Sequence, residues 1–178
     1  DGLTGVFNRR SFEDAARRLG QDGTPFSLVM ADLDHFKSLN DTHGHETGDR
    51  ALRLFARVLR ETVRADDIVA RFGGEEFVLA LPRSTAEQAV KLLERVQFAL
   101  ATSISQASVP SFTASFGVAT HDAGSLTLED VLRVADGALY QAKSSGRNRI
   151  VVAGQGAIVA EDDGAAEVAI GDALLDAL

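Results

Sequence analysis

The chain has 178 residues and a mass of 18.9 kDa, which suits one domain with a sizeable core and excludes the small scaffolds that need disulfide staples. Cysteine is absent, 45% of residues are hydrophobic and 25% charged; this is a globular composition, neither disordered nor fibrous, and no apolar run approaches the roughly 20 residues of a membrane span. Of the net charge of −8, six acids (Glu161, Asp162, Asp163, Glu167, Asp172, Asp176) follow Gly154 with no Lys or Arg among them, so residues 1–153 carry 18 basic against 20 acidic residues, a near-neutral balance without a basic stripe that speaks against a nucleic-acid polymer as the main ligand.

Asn8 is placed to cap a helix to about Leu19, with Phe12, Ala15, Ala16 and Leu19 on one face and Gly20 ending it. The apolar run Phe26 to Ala31 predicts a buried strand ending in Asp32-Leu33-Asp34. A short helix from about His35 to Asp41 precedes a glycine-rich break, Gly44-His45-Glu46-Thr47-Gly48, and a helix from about Asp49 to Val63 with Leu52, Phe55, Val58 and Leu59 at helical spacing. Ile68 to Phe72 and Phe77 to Leu81 flank Gly73-Gly74-Glu75-Glu76 and predict a hairpin. Thr85 to about Ala101 reads as helix, Ser103 to Ser111 as a serine-rich loop, and Phe112 to His121 as a strand. Apolar residues recur from Leu128 to Ala142 at three and four residues, predicting a helix over 127–145 that ends at Gly146, and Arg149 to Val152 makes a last strand. The domain is expected to end at residue 153; the acidic Ala/Gly-rich tail, 154–178, has room for a short helix near Asp172 to Leu178. Alternating strands and helices with one hairpin predict an α+β fold: a mixed, mostly antiparallel central sheet flanked by helices.

Three features carry chemistry. The first is the pair Asp32 and Asp34 at the end of a buried strand; its carboxylates are expected to leave on opposite sides, so that at most one shares a site with a given partner, and the plainer explanation is that one caps the following helix. The second is Glu75-Glu76 on a glycine turn, where backbone approaches a ligand closely and a carboxylate can bind a hard cation; a solvated hairpin tip is the plainer explanation. The third is Lys143 and Arg147, which bracket the helix end at Gly146 and could grip phosphate, although basic residues in a last turn also answer the helix dipole.

Each signal is weak, but their order is specific. Asp32-Leu33-Asp34-His35-Phe36-Lys37-x-x-Asn40-Asp41, Gly44-His45-x-x-Gly48-Asp49, Gly73-Gly74-Glu75-Glu76-Phe77 and Ala138-Leu139-Tyr140-Gln141-Ala142-Lys143-x-x-Gly146-Arg147-Asn148 follow the opening block Leu3-Thr4-Gly5-Val6-Phe7-Asn8-Arg9-Arg10. In this succession the chain closely resembles the GGDEF family of diguanylate cyclases over about residues 1–152. Glu at the third signature position is tolerated there, and Gly2 and Val6 depart from common choices away from the chemistry. The resemblance implies a nucleotidyl-cyclase-like palm fold and condensation of two GTP molecules into cyclic di-GMP with release of two pyrophosphates.

The same resemblance implies roles for individual residues. Asp32, Glu75 and the backbone carbonyl of Leu33 would hold two Mg²⁺ ions, with Mn²⁺ as a substitute, in a two-metal arrangement. Glu75 would be the proton acceptor, with Glu76 in support; Lys37, the turn amides from Leu33 to Phe36, Lys143 and Arg147 would face the phosphates. Asn40 and Asp49 match the guanine readers, since a carboxylate can accept from the N1–H and N2–H that adenine lacks in that form; His45 matches a substrate-side position. Arg64-Ala65-Asp66-Asp67, nine residues before Gly73, has the spacing of an inhibitory product site, joined by Arg95; Arg133-Val134-Ala135-Asp136 satisfies the same R-x-x-D pattern inside a helix, where a structural role is expected. A homodimer is expected because the product is two-fold symmetric and one domain offers one pocket. The start at Asp1, with Met30 the only methionine, suggests a piece of a longer protein with an upstream regulatory domain, and the lack of cysteine fits a cytoplasmic location. A nucleotide-binding module without activity and a metal-dependent nucleotide hydrolase are the rival readings, separable by the products formed from GTP.

Overall fold

The computed structural model describes residues 1–121, 127–154 and 157–159. Its elements are β1 (Phe7–Asn8), α1 (Arg9–Gln21), β2 (Phe26–Leu33), α2 (Phe36–His43), α3 (His45–Thr62), β3 (Ile68–Gly73), β4 (Glu76–Pro82), α4 (Ala86–Gln106), β5 (Ala114–His121), α5 (Leu128–Ser144), β6 (Arg149–Val152) and β7 (Ala157–Val159). They build one seven-stranded sheet in the order β1-β3-β4-β2-β5-β6-β7. β1 with β3 and β5 with β6 are parallel; the other four pairings are antiparallel, as expected for a mixed, mostly antiparallel sheet.

β2 is the middle strand and every one of its residues is buried, because helices cover both faces. Side chains alternate across a strand, so Phe26, Leu28 and Met30 join Phe12 of α1 and Val131, Ala135 and Leu139 of α5 in one cluster. Val29, Ala31 and Leu33 face the other way, into the larger cluster with Phe36 of α2, Phe55 and Leu59 of α3 and Leu93 and Val96 of α4. Phe55 meets the edge of Phe77 at a centroid distance of 5.0 Å, locking α3 to β4.

The helix starts follow local chemistry. Asn8 accepts from the Ser11 amide at 2.9 Å. Thr85 with Gln88, and Thr127 with Asp130, form reciprocal capping boxes that satisfy otherwise orphaned amides.

Two expectations are corrected. The glycine-rich stretch 44–48 is no break beyond Gly44: α3 begins at His45 and runs through Gly48. The serine-rich stretch is helical to Gln106, since Thr102 and Ser105 turn their hydroxyls onto the carbonyls of Phe98 and Thr102 while Ile104 packs on the core. Beyond residue 153, β7 (Ala157–Val159), a strand that was not expected, pairs antiparallel with β6. The expected helix at Asp172 to Leu178 lies outside the described residues.

Gly117 of β5 sets how closely α5 approaches the sheet. A Cβ there would run into the Ala135 carbonyl oxygen and the Leu139 amide nitrogen, backbone atoms that cannot swing aside. Gly117→Ala is therefore expected to push α5 outward and destabilise the fold by about 1–3 kcal/mol, read as a lower urea midpoint; an unchanged midpoint would show that α5 can shift without cost.

Candidate active site

The candidate site forms where β2, the β3–β4 hairpin, the β2–α2 turn and the end of α5 meet. Asp32 is only 4% exposed and pairs across the sheet with Glu76 on one side and Ser115 on the other. Its Oδ2 lies 2.7 Å from Lys143 Nζ. Burial pushes the Asp32 carboxyl up to about 6; Lys143 opposes the rise, and the charges of Glu75 and Glu76 add to it. The two hairpin carboxylates thus lie close enough to act on Asp32 electrostatically.

Asp32 and Asp34 do not diverge as expected. Residues two apart share a strand face, and both carboxylates lie on the α5 side, where different partners separate them. Asp34, also 4% exposed, accepts from Ser115 Oγ at 2.7 Å, Thr113 Oγ1 at 2.6 Å and the Asn148 amide at 3.0 Å. It caps no helix: the residue before α2 is His35, in the left-handed region at φ 56° and with no side-chain cap. Asp34 instead holds the α5–β6 turn, where Arg147 and Asn148 have φ of 63° and 46°. Such a backbone costs about 1–3 kcal/mol per residue and persists only where its surroundings hold it. Here the Arg147 amide donates to the Ala142 carbonyl and Arg149 Nε to the Arg147 carbonyl. The turn so held carries Arg147 on from the α5 end that brings Lys143 to Asp32.

The hairpin is fastened from outside. Arg71 Nε and Nη2 both donate to the Gly74 carbonyl, at 2.9 and 2.7 Å, and Nη1 reaches Asp1 Oδ1 at 3.3 Å. Asp1 Oδ1 also accepts from the Leu3 and Thr4 amides and from Thr4 Oγ1. This explains why the opening block belongs to the domain, and neither Arg71 nor Asp1 was singled out from sequence; the spacing Asp1-x-x-Thr4 was the available sign. Gly74 takes φ 49°, open to glycine at little cost, and leaves Glu75 half-buried and Glu76 exposed at the tip.

On the far side of the β2–α2 turn, Lys37 is exposed in the first turn of α2, near amides that a helix start leaves without intrahelical acceptors. Asn40 Oδ1 is buried with no hydrogen-bond partner among the described residues. It fits against Gly48, where a Cβ would overlap it and come within 3.1 Å of Phe36 Cζ. Asp49 is the next residue on α3, and His45 is exposed at the start of that helix. An acceptor buried without a donor costs about 1–3 kcal/mol. Gly48 was read as part of a break and of a motif block, although its fit against Asn40 is what its smallness serves.

The R-x-x-D residues lie apart from this cluster. Arg64 and Asp67 close the α3–β3 turn, the Asp67 carboxylate accepting the Arg64 amide at 2.8 Å, and both side chains leave the turn without an ion pair among the described residues. Arg95 is exposed on α4, which packs beside α3. The second match, Arg133 and Asp136, is exposed on α5, where Arg133 pairs with Asp130 as a structural role predicts.

The described carboxylates and imidazoles nowhere stand as a ready cage of three or more. What the site offers is an all-oxygen donor set around a buried, mutually repelling carboxylate group, which suits a hard dication. No described helix is long and apolar enough to cross a membrane.

A strand-end carboxylate, a glycine hairpin bearing two glutamates and a lysine-arginine helix end, set on a palm-like α+β sheet, define the class of nucleotidyl cyclase domains. The chain belongs to the GGDEF family: the model of the diguanylate cyclase GGDEF domain matches residues 1–149. It is 40% identical over 160 residues to diguanylate cyclase DgcM of Escherichia coli K12, covering 86% of this chain but 38% of that protein. Among solved structures, the GGDEF domain of DgcB from Caulobacter crescentus in complex with c-di-GMP superposes with a TM-score of 0.77 at 35% identity, covering 86% of this chain and 94% of that one. The active GGEEF domain of a diguanylate cyclase from Vibrio cholerae superposes at 0.72 with 30% identity over 85% of this chain and 99% of that one, and has the glutamate variant seen here at Glu75. The chain spans about two fifths of the length of the curated relative.

The raised Asp32 carboxyl sets a pH dependence. The folded chain binds this proton more tightly than the unfolded one, so stability falls as pH rises from about 4 to about 6. Asp32→Asn removes the effect: in chelator-treated buffer its stability relative to the parent is expected to climb through that window, on the order of 3 kcal/mol in all. Urea unfolding at several pH values measures this, and a pH-independent difference would mean that Lys143 holds the charge completely.

Proposed function

We propose that the chain is a diguanylate cyclase domain that joins two GTP molecules into cyclic di-GMP. The observation that carries this reading is the convergence of the buried Asp32, the Glu75 hairpin and Lys143; the unsatisfied Asn40 acceptor, the family and the GGEEF relative support it.

In this reading Asp32, Glu75 and the Leu33 carbonyl hold Mg²⁺, two ions per site, with Mn²⁺ able to replace it. Held by these residues, such cations would supply Lewis acidity toward the attacking 3′-hydroxyl and offset the charge of the triphosphate. Asn40 Oδ1 accepts from the guanine edge, with Asp49 beside it and His45 at the rim. The amides from Leu33 to Phe36 and the Lys37 ammonium cradle phosphate, and Lys143 and Arg147 close on it from the opposite side. Glu75 takes the hydroxyl proton, with Glu76 strengthening the local negative field. One domain supplies one such half-site, so two copies facing each other across their nucleotides complete the reaction. Cyclic di-GMP, held by Arg64, Asp67 and Arg95, restrains it through arginine forks suited to guanine edges and phosphates, and a regulatory domain upstream in the whole protein, acting in the cytoplasm, sets the pairing.

Incubation with GTP and Mg²⁺ followed by product separation is expected to yield cyclic di-GMP. Guanosine di- or monophosphate would favour a hydrolase and unchanged GTP a binding module. Glu75→Gln keeps shape and removes charge, so turnover should fall by two orders of magnitude or more with the fold intact; near-normal activity would reject Glu75 as ligand and base. Gly48→Ala displaces Asn40 and should weaken GTP binding about tenfold or more by calorimetry, with ATP binding unmoved. Equal losses for both nucleotides would remove Asn40 from guanine recognition.

A further inference from the structure

The near-neutral charge of residues 1–153 conceals a local excess that the sequence reading, with its expectation of no basic stripe, passed over. Arg50, Arg53 and Arg57 recur at three and four residues along α3 and share one exposed face. They line a groove of about 340 Å³ whose apolar side is Leu54, Ala107 and Val109. Among the described residues none of the three makes an ion pair, and their single side-chain hydrogen bond is Arg50 to Thr47 Oγ1 at 3.0 Å. Glu46, Asp49 and Glu61 of the same helix stand four residues from Arg50, Arg53 and Arg57 respectively, yet none forms an ion pair with them among the described residues and none lines the groove. The opposite wall offers none, because no charged residue occurs from Val96 to Thr120. Like charges one helical turn apart repel, so this groove is suited to an anionic chain with apolar side chains.

This protein contains such a chain. Residues 160–178 hold six carboxylates and no Lys or Arg, interleaved with Val168, Ile170, Leu174, Leu175 and Leu178. We propose that this segment docks within its own molecule into the arginine-lined groove between α3 and the α4–β5 connection, its carboxylates on Arg50, Arg53 and Arg57 and its aliphatic residues on Leu54 and Val109. The reach is sufficient. Nineteen residues follow Val159 and extend to about 65 Å, whereas a seven-stranded sheet is about 30 Å wide and α4 touches both α3 and β6. Ionic strength governs release of the docked segment. The docking is independent of the proposed catalytic reading.

The absence of cysteine allows one nitroxide to be placed in the full chain, at the exposed Ser108→Cys. With ¹⁵N-labelled protein, the amide signals of residues 161–178 are expected to lose most of their intensity at about 0.05 M salt. They should recover at about 0.5 M salt, where screening is strong, and in the variant carrying Arg50→Gln, Arg53→Gln and Arg57→Gln, with the spectrum of the body unchanged. Neutralising Glu161, Asp162 and Asp163 to amides should give the same recovery and serves if the arginine variant does not fold. Equal intensities with oxidised and reduced label at low salt would overturn the proposal, as would broadening that survives both charge changes. Broadening found only when labelled and ¹⁵N chains are mixed would assign the groove to a second copy and also overturn it.

Discussion

The Asp34 carboxylate is the junction on which the arrangement of the site depends. Three donors from two segments converge on its two oxygens: Ser115 of β5 and Thr113 just before that strand, and the Asn148 amide from the α5–β6 turn. Hydrogen bonds to a charged acceptor are each worth about 1.5–3 kcal/mol, enough together to hold Arg147 and Asn148 in their left-handed conformation. The cationic end of α5 is thereby set against the end of β2, and the Lys143–Asp32 contact follows from that placement.

The sheet supplies the rigidity behind this junction. β2 is covered on both faces, so its end cannot shift without disturbing two cores at once. Gly117 lets α5 lie against β5 at backbone contact, and Arg71 ties the glutamate hairpin to the opening turn at Asp1. A carboxylate brought into such a setting is costly to ionise, as the upward shift of Asp32 shows. Groups with this cost are stable companions of a hard cation, and this connects the packing of the GGDEF fold to the chemistry proposed for it.

Most of the architecture was legible because long amphipathic stripes and a glycine hairpin leave strong periodic signals. α1, β2, β4 and α5 fall within a few residues of their expected bounds. β1 and β7, two and three residues long, were missed since edge strands that short carry no pattern. Gly48 and Ser103 to Gln106 misled for one shared reason: residues that break an isolated helix are kept inside α3 and α4 by tertiary packing, by Asn40 in one case and by Ile104 on the core in the other.

The order of Asp32, Lys37, Asn40, Asp49, Glu75, Lys143 and Arg147 along the chain was enough by itself to determine the family and to propose the donor types of its site. Only the tertiary structure decided which of these groups share a space. Asp32 and Lys143 are 111 residues apart in sequence yet touch, while Asp34, two residues from Asp32, serves a different set of partners. The same holds for the arginines of α3: a net charge sums over the chain and is blind to position, whereas a helix places Arg50, Arg53 and Arg57 on one face. Composition and motif record which chemical groups exist; long-range strand pairing and helix docking set the distances between them, and electrostatic and hydrogen-bonding energies depend on those distances.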